Sequence, residues 1–325
     1  MPTTLYITGN GFDLHHGLKT EYQSFIAHLR IHDRELHDLL HNCFYIIEGR
    51  ELWMDFENNL SHLDVEGVLD DKIGYLPNTS DPDFRDRDWH SFEVEIELFL
   101  AKLIPGLIEA MREFILRIHF DSLDNNRLLK LKKESIFLNF NYTNTLETYY
   151  AIPAEKILYI HGKANDPENN LILGHGEDPS DLEEEFKTDE IKPPENLTTE
   201  ELNEWQENMS DTHNQFYEQG KNSLLDYFLR SSKPTKQRMS EENSFFNSLE
   251  NIKEVFVLGH SLATVDLPYF KKIIESINNK AIFWTVTYFQ DGDRDTHFRQ
   301  LTSIGVQKNS IRLVNMDDLR KDNGG

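Results

Sequence analysis

Short apolar runs that each stop at a glycine, asparagine or histidine turn recur along this chain, and they restrict its fold more than any other feature. Thr4-Leu5-Tyr6-Ile7-Thr8 runs directly into Gly9-Asn10-Gly11-Phe12-Asp13. Ile136-Phe137-Leu138 ends in Asn139-Phe140-Asn141-Tyr142-Thr143, Ile157-Leu158-Tyr159-Ile160 in His161-Gly162, and Leu171-Ile172-Leu173 in Gly174. Val255-Phe256-Val257-Leu258 ends in Gly259-His260-Ser261, and the stretch from Ala281 to Tyr288 and Ile311-Arg312-Leu313-Val314 complete the series. Runs this short, rich in β-branched and aromatic residues, read as buried strands. Strands alternating with helices predict an α/β chain of Rossmann-like kind, a mostly parallel sheet covered by helices on both faces.

The helices carry their own signals. Thr20 followed by Gln23 reads as a capping box ahead of Tyr22, Phe25, Ile26 and Leu29 at helical spacing. Trp53, Phe56, Leu60 and Leu63 share one face, and so do Phe92, Ile96, Phe99, Leu103, Leu107, Met111, Phe114 and Ile118, with Pro105 expected to kink or divide that helix. A further helix, capped by Asp266, turns Leu267, Phe270, Ile273 and Ile277 inward. The gap between the first and second strands exceeds what a crossover needs, so residues of about 20–132 read as a helical insertion. A second, acidic insertion covers about 177–250, where Leu202, Trp205, Met209, Phe216, Leu224 and Phe228 keep an intermittent apolar face. The expected organisation is one Rossmann-like domain over 1–325 carrying both insertions.

Composition narrows the partners. Asp and Glu number 57 against 33 Lys and Arg, a formal net charge of −24, which opposes general nucleic-acid binding because that affinity comes from basic residues displacing counterions. The lone Cys43 excludes an intramolecular disulfide and a cysteine-cluster zinc site. No apolar run approaches the roughly 20 residues of a membrane helix, and Met1-Pro2-Thr3-Thr4 lacks an export pattern. A cytoplasmic protein without membrane contact is expected.

Chemistry should gather where the strands end. Gly9 and Gly11 let a phosphate approach backbone amides, and they form the first half of a dinucleotide fingerprint without its third glycine; a turn that simply requires glycine is the plain alternative. Asp13 suits a ribose hydroxyl or a helix cap. The carboxyl ends of parallel strands share one edge, where ligands of doubly wound sheets bind. The turns at Gly9, Asn139, His161 and Gly259 therefore converge on one expected nucleotide pocket. Its candidates are Gly9, Asn10, Gly11, Phe12, Asp13, Asn139, Asn141, Tyr142, Thr143, His161, Gly259, His260, Ser261 and Asp266. Lys233, Lys236 and Arg238 form a small basic patch that reads as solvated surface or as a phosphate contact. His28 with His32, His37 with His41, and His15 with His16 offer metal-binding spacing without a third ligand, so no metal is expected, and metal-dependent nuclease or nucleotide hydrolase action is one alternative. A non-catalytic nucleotide-binding sensor is another. Gly259-His260-Ser261 lacks the later glycine of a hydrolase elbow.

The segments Gly9-Asn10-Gly11-Phe12-Asp13-Leu14 with Gly17-Leu18-Lys19-Thr20-Glu21-Tyr22, Trp53-Met54-Asp55-Phe56-Glu57, Asn139-Phe140-Asn141-Tyr142-Thr143, His161-Gly162, and Gly259-His260-Ser261-Leu262 with Asp266-Leu267-Pro268-Tyr269-Phe270 resemble the bacteriophage abortive infection family AbiH. The order of turns is more distantly similar to sirtuin-type NAD-binding domains. The first resemblance implies a role in stopping phage growth, with a phage-derived trigger; a homo-oligomer is compatible with it. The second implies NAD as ligand or substrate, with Asn141 and His161 as the catalytic pair. In that scheme Asn141 orients a water and His161, with an ordinary pKa of about 6.5, takes a proton. Thr143 stands where those domains carry an Asp, and Cys43 alone cannot build the four-cysteine module of deacetylating sirtuins, so the likeness implies hydrolysis of the nicotinamide–ribose bond and not deacetylation.

Overall fold

A computed structural model describes residues 2–44, 56–78, 82–120, 125–177, 198, 212–278 and 282–320. Trp53, Met54, Asp55, Leu202, Trp205 and Met209 lie outside the described residues. The chain forms two compact units, one of Met1–His28, Ile108–Leu173 and Lys233–Gly325 and the other of Leu29–Leu107 and Gly174–Ser232.

The first unit holds the sheet. Its strands are β1 (Thr4–Thr8), β2 (Ile136–Asn139), β3 (Ile157–Tyr159), β4 (Glu254–Leu258), β5 (Phe283–Tyr288) and β6 (Ile311–Asn315), arranged β3-β2-β1-β4-β5-β6. Every pairing is parallel. This is the Rossmann-like doubly wound order, in which strand addition reverses direction between β1 and β4. All five residues of β1 are buried, as a central strand covered on both faces requires. Side chains alternate faces along it. Leu5 and Ile7 join a core with Val255, Val257 and Phe270, whereas Tyr6 joins Phe137, Tyr150 and Met316 and stacks between Phe137 and Phe256 at 5.2 and 4.9 Å.

The second unit is helical among its described residues, with helices Arg34–Asn42, Val65–Lys72, Ser91–Ala101 and Thr212–Ser231. A β carbon on Gly220 would come within 2.2 Å of the Phe92 ring, so the third and fourth of these helices pack closely where glycine leaves room. No described helix is long and apolar enough to cross a membrane.

Local expectations meet three corrections and one agreement. Leu171–Gly174 is not a strand: Gly162 turns the chain at φ +87° and a single bond, from the Ile172 N–H to the His161 carbonyl, is too little to extend the ladder. The helix expected near Thr20 starts at Tyr22, and the Thr20 hydroxyl, expected in a capping box, donates to Asn10 Oδ1 instead. Asp266 forms no cap bond at the helix Leu267–Ser276; its carboxylate faces buried side chains described below. Pro105 does divide its helix, within a π-helical stretch Lys102–Gly106 between Ser91–Ala101 and Leu107–Leu116, as expected of a residue with no N–H to give.

The two strand ends at the reversal touch backbone to backbone. The Gly9 N–H donates to the Leu258 carbonyl at 3.1 Å and the Gly11 N–H to the Gly259 carbonyl at 2.8 Å. A β carbon at Gly9 would lie 2.7 Å from His260 Cα, one at Gly11 2.9 Å from Gly259 Cα, and one at Gly259 only 2.1 Å from the Phe12 nitrogen. Gly259 also has φ +64°. Gly259→Ala combines a left-handed backbone penalty with overpacking, together about 3 kcal/mol or more. Gly292→Ala, in open space in the first turn of its helix, should change stability by less than about 1 kcal/mol. Urea denaturation of both variants checks this, and equal midpoints would contradict the tight contact.

Candidate functional site

Beyond the carboxyl ends of β1, β4, β5 and β6, wholly within the first unit, lies a cavity of about 620 Å³. Gly11, Leu14 and His15 line it from the β1 turn, and Gly259, His260 and Ser261 from the β4 turn. Thr287, Tyr288 and Phe289 contribute from the end of β5, and Asp293, Thr296 and His297 from the helix Asp291–Ser303. Asn315, Met316 and Asp317 close it below β6.

These side chains are braced by the loops they come from. Thr287 Oγ1 accepts the Gly259 N–H at 2.8 Å and donates to the Val257 carbonyl at 3.2 Å, tying β5 to β4. Asp293 Oδ2 accepts the Gln290 and Phe289 N–H groups at 2.8 and 3.3 Å, as a carboxylate in a first helical turn commonly does. Asn315 Oδ1 accepts the Asp317 N–H at 3.0 Å, and Asp317 pairs with Arg320. His15 Nε2 meets the Arg127 carbonyl at 2.9 Å. Burial holds His297 below the ordinary histidine range despite a bond to the Thr287 backbone, and its Nδ1 is buried with no hydrogen-bond partner.

Of the residues expected in the nucleotide pocket, Gly11, Gly259, His260 and Ser261 line this cavity. The others lie outside its lining. Asn10 is exposed and accepts from Thr20, whereas Phe12 is buried in the core. Asp13 is buried, and its two oxygens accept from the hydroxyls of Thr143 and Thr145 at 2.6 and 2.7 Å. Burial pushes its pKa up to about 6 against those hydrogen bonds. Asp13 is thus held by threonines and neither caps a helix nor faces the cavity. Asn139 Oδ1 accepts the Thr8 hydroxyl and the Asn141 N–H at 2.7 and 3.1 Å. Asn141 is buried and spends its amide on the Gly9 carbonyl at 3.0 Å, and the Tyr142 hydroxyl donates to the Ile172 carbonyl.

A second group of buried polar residues surrounds Asp266. Lys233 Nζ, His260 Nε2 and His161 Nε2 lie 3.4, 3.4 and 3.5 Å from its oxygens. Burial raises the Asp266 pKa, but Lys233 and the bond from His260 outweigh it and hold the carboxyl below its usual range. His260 Nδ1 accepts the Leu262 N–H at 2.9 Å, which leaves the ring proton on Nε2, facing Asp266. His161 is different. Burial and the charge of Lys233 push it down to about 3, far from a base poised near neutrality, and its Nε2 and the nearby Tyr269 Oη have no hydrogen-bond partner.

Of the basic patch only Lys236 is exposed surface. Lys233 is buried against Asp266, and Arg238 donates to the Ile160 and Tyr159 carbonyls at 3.0 and 3.3 Å, capping the end of β3. The His15–His16 pair is committed as well: His16 Nδ1 donates to the Phe12 carbonyl and its Nε2 accepts from Tyr150. Among the described residues no group of three or more His, Cys, Asp or Glu is arranged to hold a metal ion.

Thr145, Tyr269, Thr287, Phe289, Asp293, His297, Asn315 and Asp317 escaped the sequence reading. The strand-end rule could have found Phe289, Asn315 and Asp317, since Tyr288-Phe289-Gln290-Asp291-Gly292 and Asn315-Met316-Asp317-Asp318 also follow apolar runs.

The Asp13 site fixes a pH dependence. Its folded pKa of about 6 lies above the ordinary carboxyl value of 3.8, so the contribution of its protonated form is complete below about pH 4 and is lost as pH rises through 6. The Asp13→Asn variant should therefore gain on the parent by about 2 kcal/mol between pH 4 and 7. Denaturant titrations across that range check it, and parallel curves would contradict it.

The family model described as bacteriophage abortive infection AbiH matches residues 5–288, from the second residue of β1 to the last of β5. No curated protein and no solved structure matches the chain. With most of its length and the whole span between those strands matched, the chain belongs to the bacteriophage abortive infection AbiH family.

Proposed function

We propose that this chain serves phage abortive infection by binding a nucleotide of the NAD class in the cavity beyond β1, β4, β5 and β6. The observation that carries the reading is position. A cavity of about 620 Å³ opens beside the point where the strand order β3-β2-β1-β4-β5-β6 reverses, where doubly wound sheets bind dinucleotides. Its size falls in the range of small-molecule sites, about 300–1,000 Å³.

Binding without turnover is the first reading because the residues proposed for cleavage are otherwise occupied. Asn141 holds the Gly9 carbonyl and His161 is buried beside Lys233. Hydrolysis of the nicotinamide–ribose bond is the second reading. It is favoured by the unpartnered His161 Nε2 and Tyr269 Oη, which belong to a cluster that reaches the cavity through Asp266 and His260. In that reading the segment carrying Lys233 opens, and Asn141 and His161 act on the bound ribose.

Calorimetric titration of the purified chain with NAD, followed by chromatography of the products, separates the readings. Saturable binding with intact NAD is expected. Thr296→Trp, which adds bulk at an exposed lining position, should weaken it at least about tenfold, equivalent to about 1.4 kcal/mol. Release of nicotinamide and ADP-ribose, abolished by His161→Ala, would establish the second reading. Absence of binding by NAD and by other nucleotides would overturn both.

A further inference from the structure

Resting on that reading, we infer that the ligand enters the cavity by a nucleoside end, its planar ring stacked on Phe289, and that its phosphates stay outside. Phe289 follows β5 directly, lines the cavity and is 86 % exposed, more than any other large apolar side chain among the described residues. The neighbouring ring is taken: the Arg294 guanidinium lies 5.4 Å from the centre of Tyr288. The Phe289 and Gln290 N–H groups are anchored on Asp293, so the loop beneath the exposed ring is fixed. An aromatic face held at the rim of a cavity is a stacking platform for a base, which needs no sequence of hydrogen bonds to be recognised.

The lining lacks what a phosphate needs. Among the described residues it contains no lysine or arginine and two carboxylates, Asp293 and Asp317, and the nearby Arg320 is already paired with Asp317. The glycine amides are spent too, from Gly9 on Leu258, Gly11 on Gly259 and Gly259 on Thr287. Phosphate sites built on a first glycine turn depend on such amides being free. What the lining does offer is acceptors. His297 Nδ1, buried and unpartnered, is placed to bond a ribose hydroxyl or an exocyclic amine.

The test uses the full chain, Phe289→Ala and Phe289→Trp, each titrated with adenosine, AMP, ADP and NAD. Phe289 is exposed, so both variants should fold as the parent does. Adenosine is expected to bind within about threefold of ADP, Phe289→Ala to weaken all four by about tenfold, and Phe289→Trp to retain them, as base–aromatic stacking of about 1–3 kcal/mol implies. Affinity that climbs tenfold with each added phosphate, or binding indifferent to Phe289→Ala, would overturn this inference while leaving the nucleotide reading intact. Failure of all four to bind would instead remove that reading, and this inference with it.

Discussion

The close contact between the β1 and β4 turns governs what this sheet edge can do. In an open doubly wound sheet the reversal between these strands leaves a crevice, yet here Gly11 donates across it to Gly259 at 2.8 Å. Only glycine permits the approach, because a β carbon on either side would enter the opposite backbone. The contact consumes the amides that would otherwise cradle an anion. It also places open space to one side, over β4, β5 and β6, where the cavity lies.

On the other side of that contact, polar residues do structural work that resembles chemistry when seen only as letters. Thr8, Asn139, Asn141 and the Gly9 carbonyl form a run of buried hydrogen bonds that joins β1 to β2. Asp13 binds the β2 turn through Thr143 and Thr145. Asp266 gathers Lys233, His161 and His260 from three separate loops. The turns after β1, β2, β3 and β4 leave strands whose backbone groups must find partners away from water, and asparagine, threonine and histidine supply them at short reach, whereas Lys233 comes from the stretch after the helix Thr212–Ser231. A buried ion pair of this kind is costly to break by removing one partner, and through His260 the Asp266 group holds the β4 turn that lines the cavity.

The sheet was legible because burial on both faces demands continuous apolar runs, which β1, β2 and β4 show, while β5 and β6 were visible as short β-branched and aromatic stretches. The convergence of Gly11 and Gly259 followed from the rule that parallel strands share one carboxyl edge. The division between loop scaffold and cavity did not follow. Residue types at Asn141 and His161 are the same whether they meet a ligand or a carbonyl, and only the fold shows that Asn141 meets Gly9. Lys233 looked solvated because its partner, Asp266, lies 33 positions later in the chain. The exposed Phe289 carried no glycine or histidine flag, so the far wall of the cavity passed unnoticed.

Hydrogen exchange with and without NAD tests most directly that the ligand site lies on the β4–β6 side of the glycine contact. The account predicts slowed exchange in peptides covering 259–262 and 287–298, with 139–143 and 161–163 unchanged. Slowing confined to those last two segments would place the ligand across the contact, at Asn141 and His161, and would contradict it.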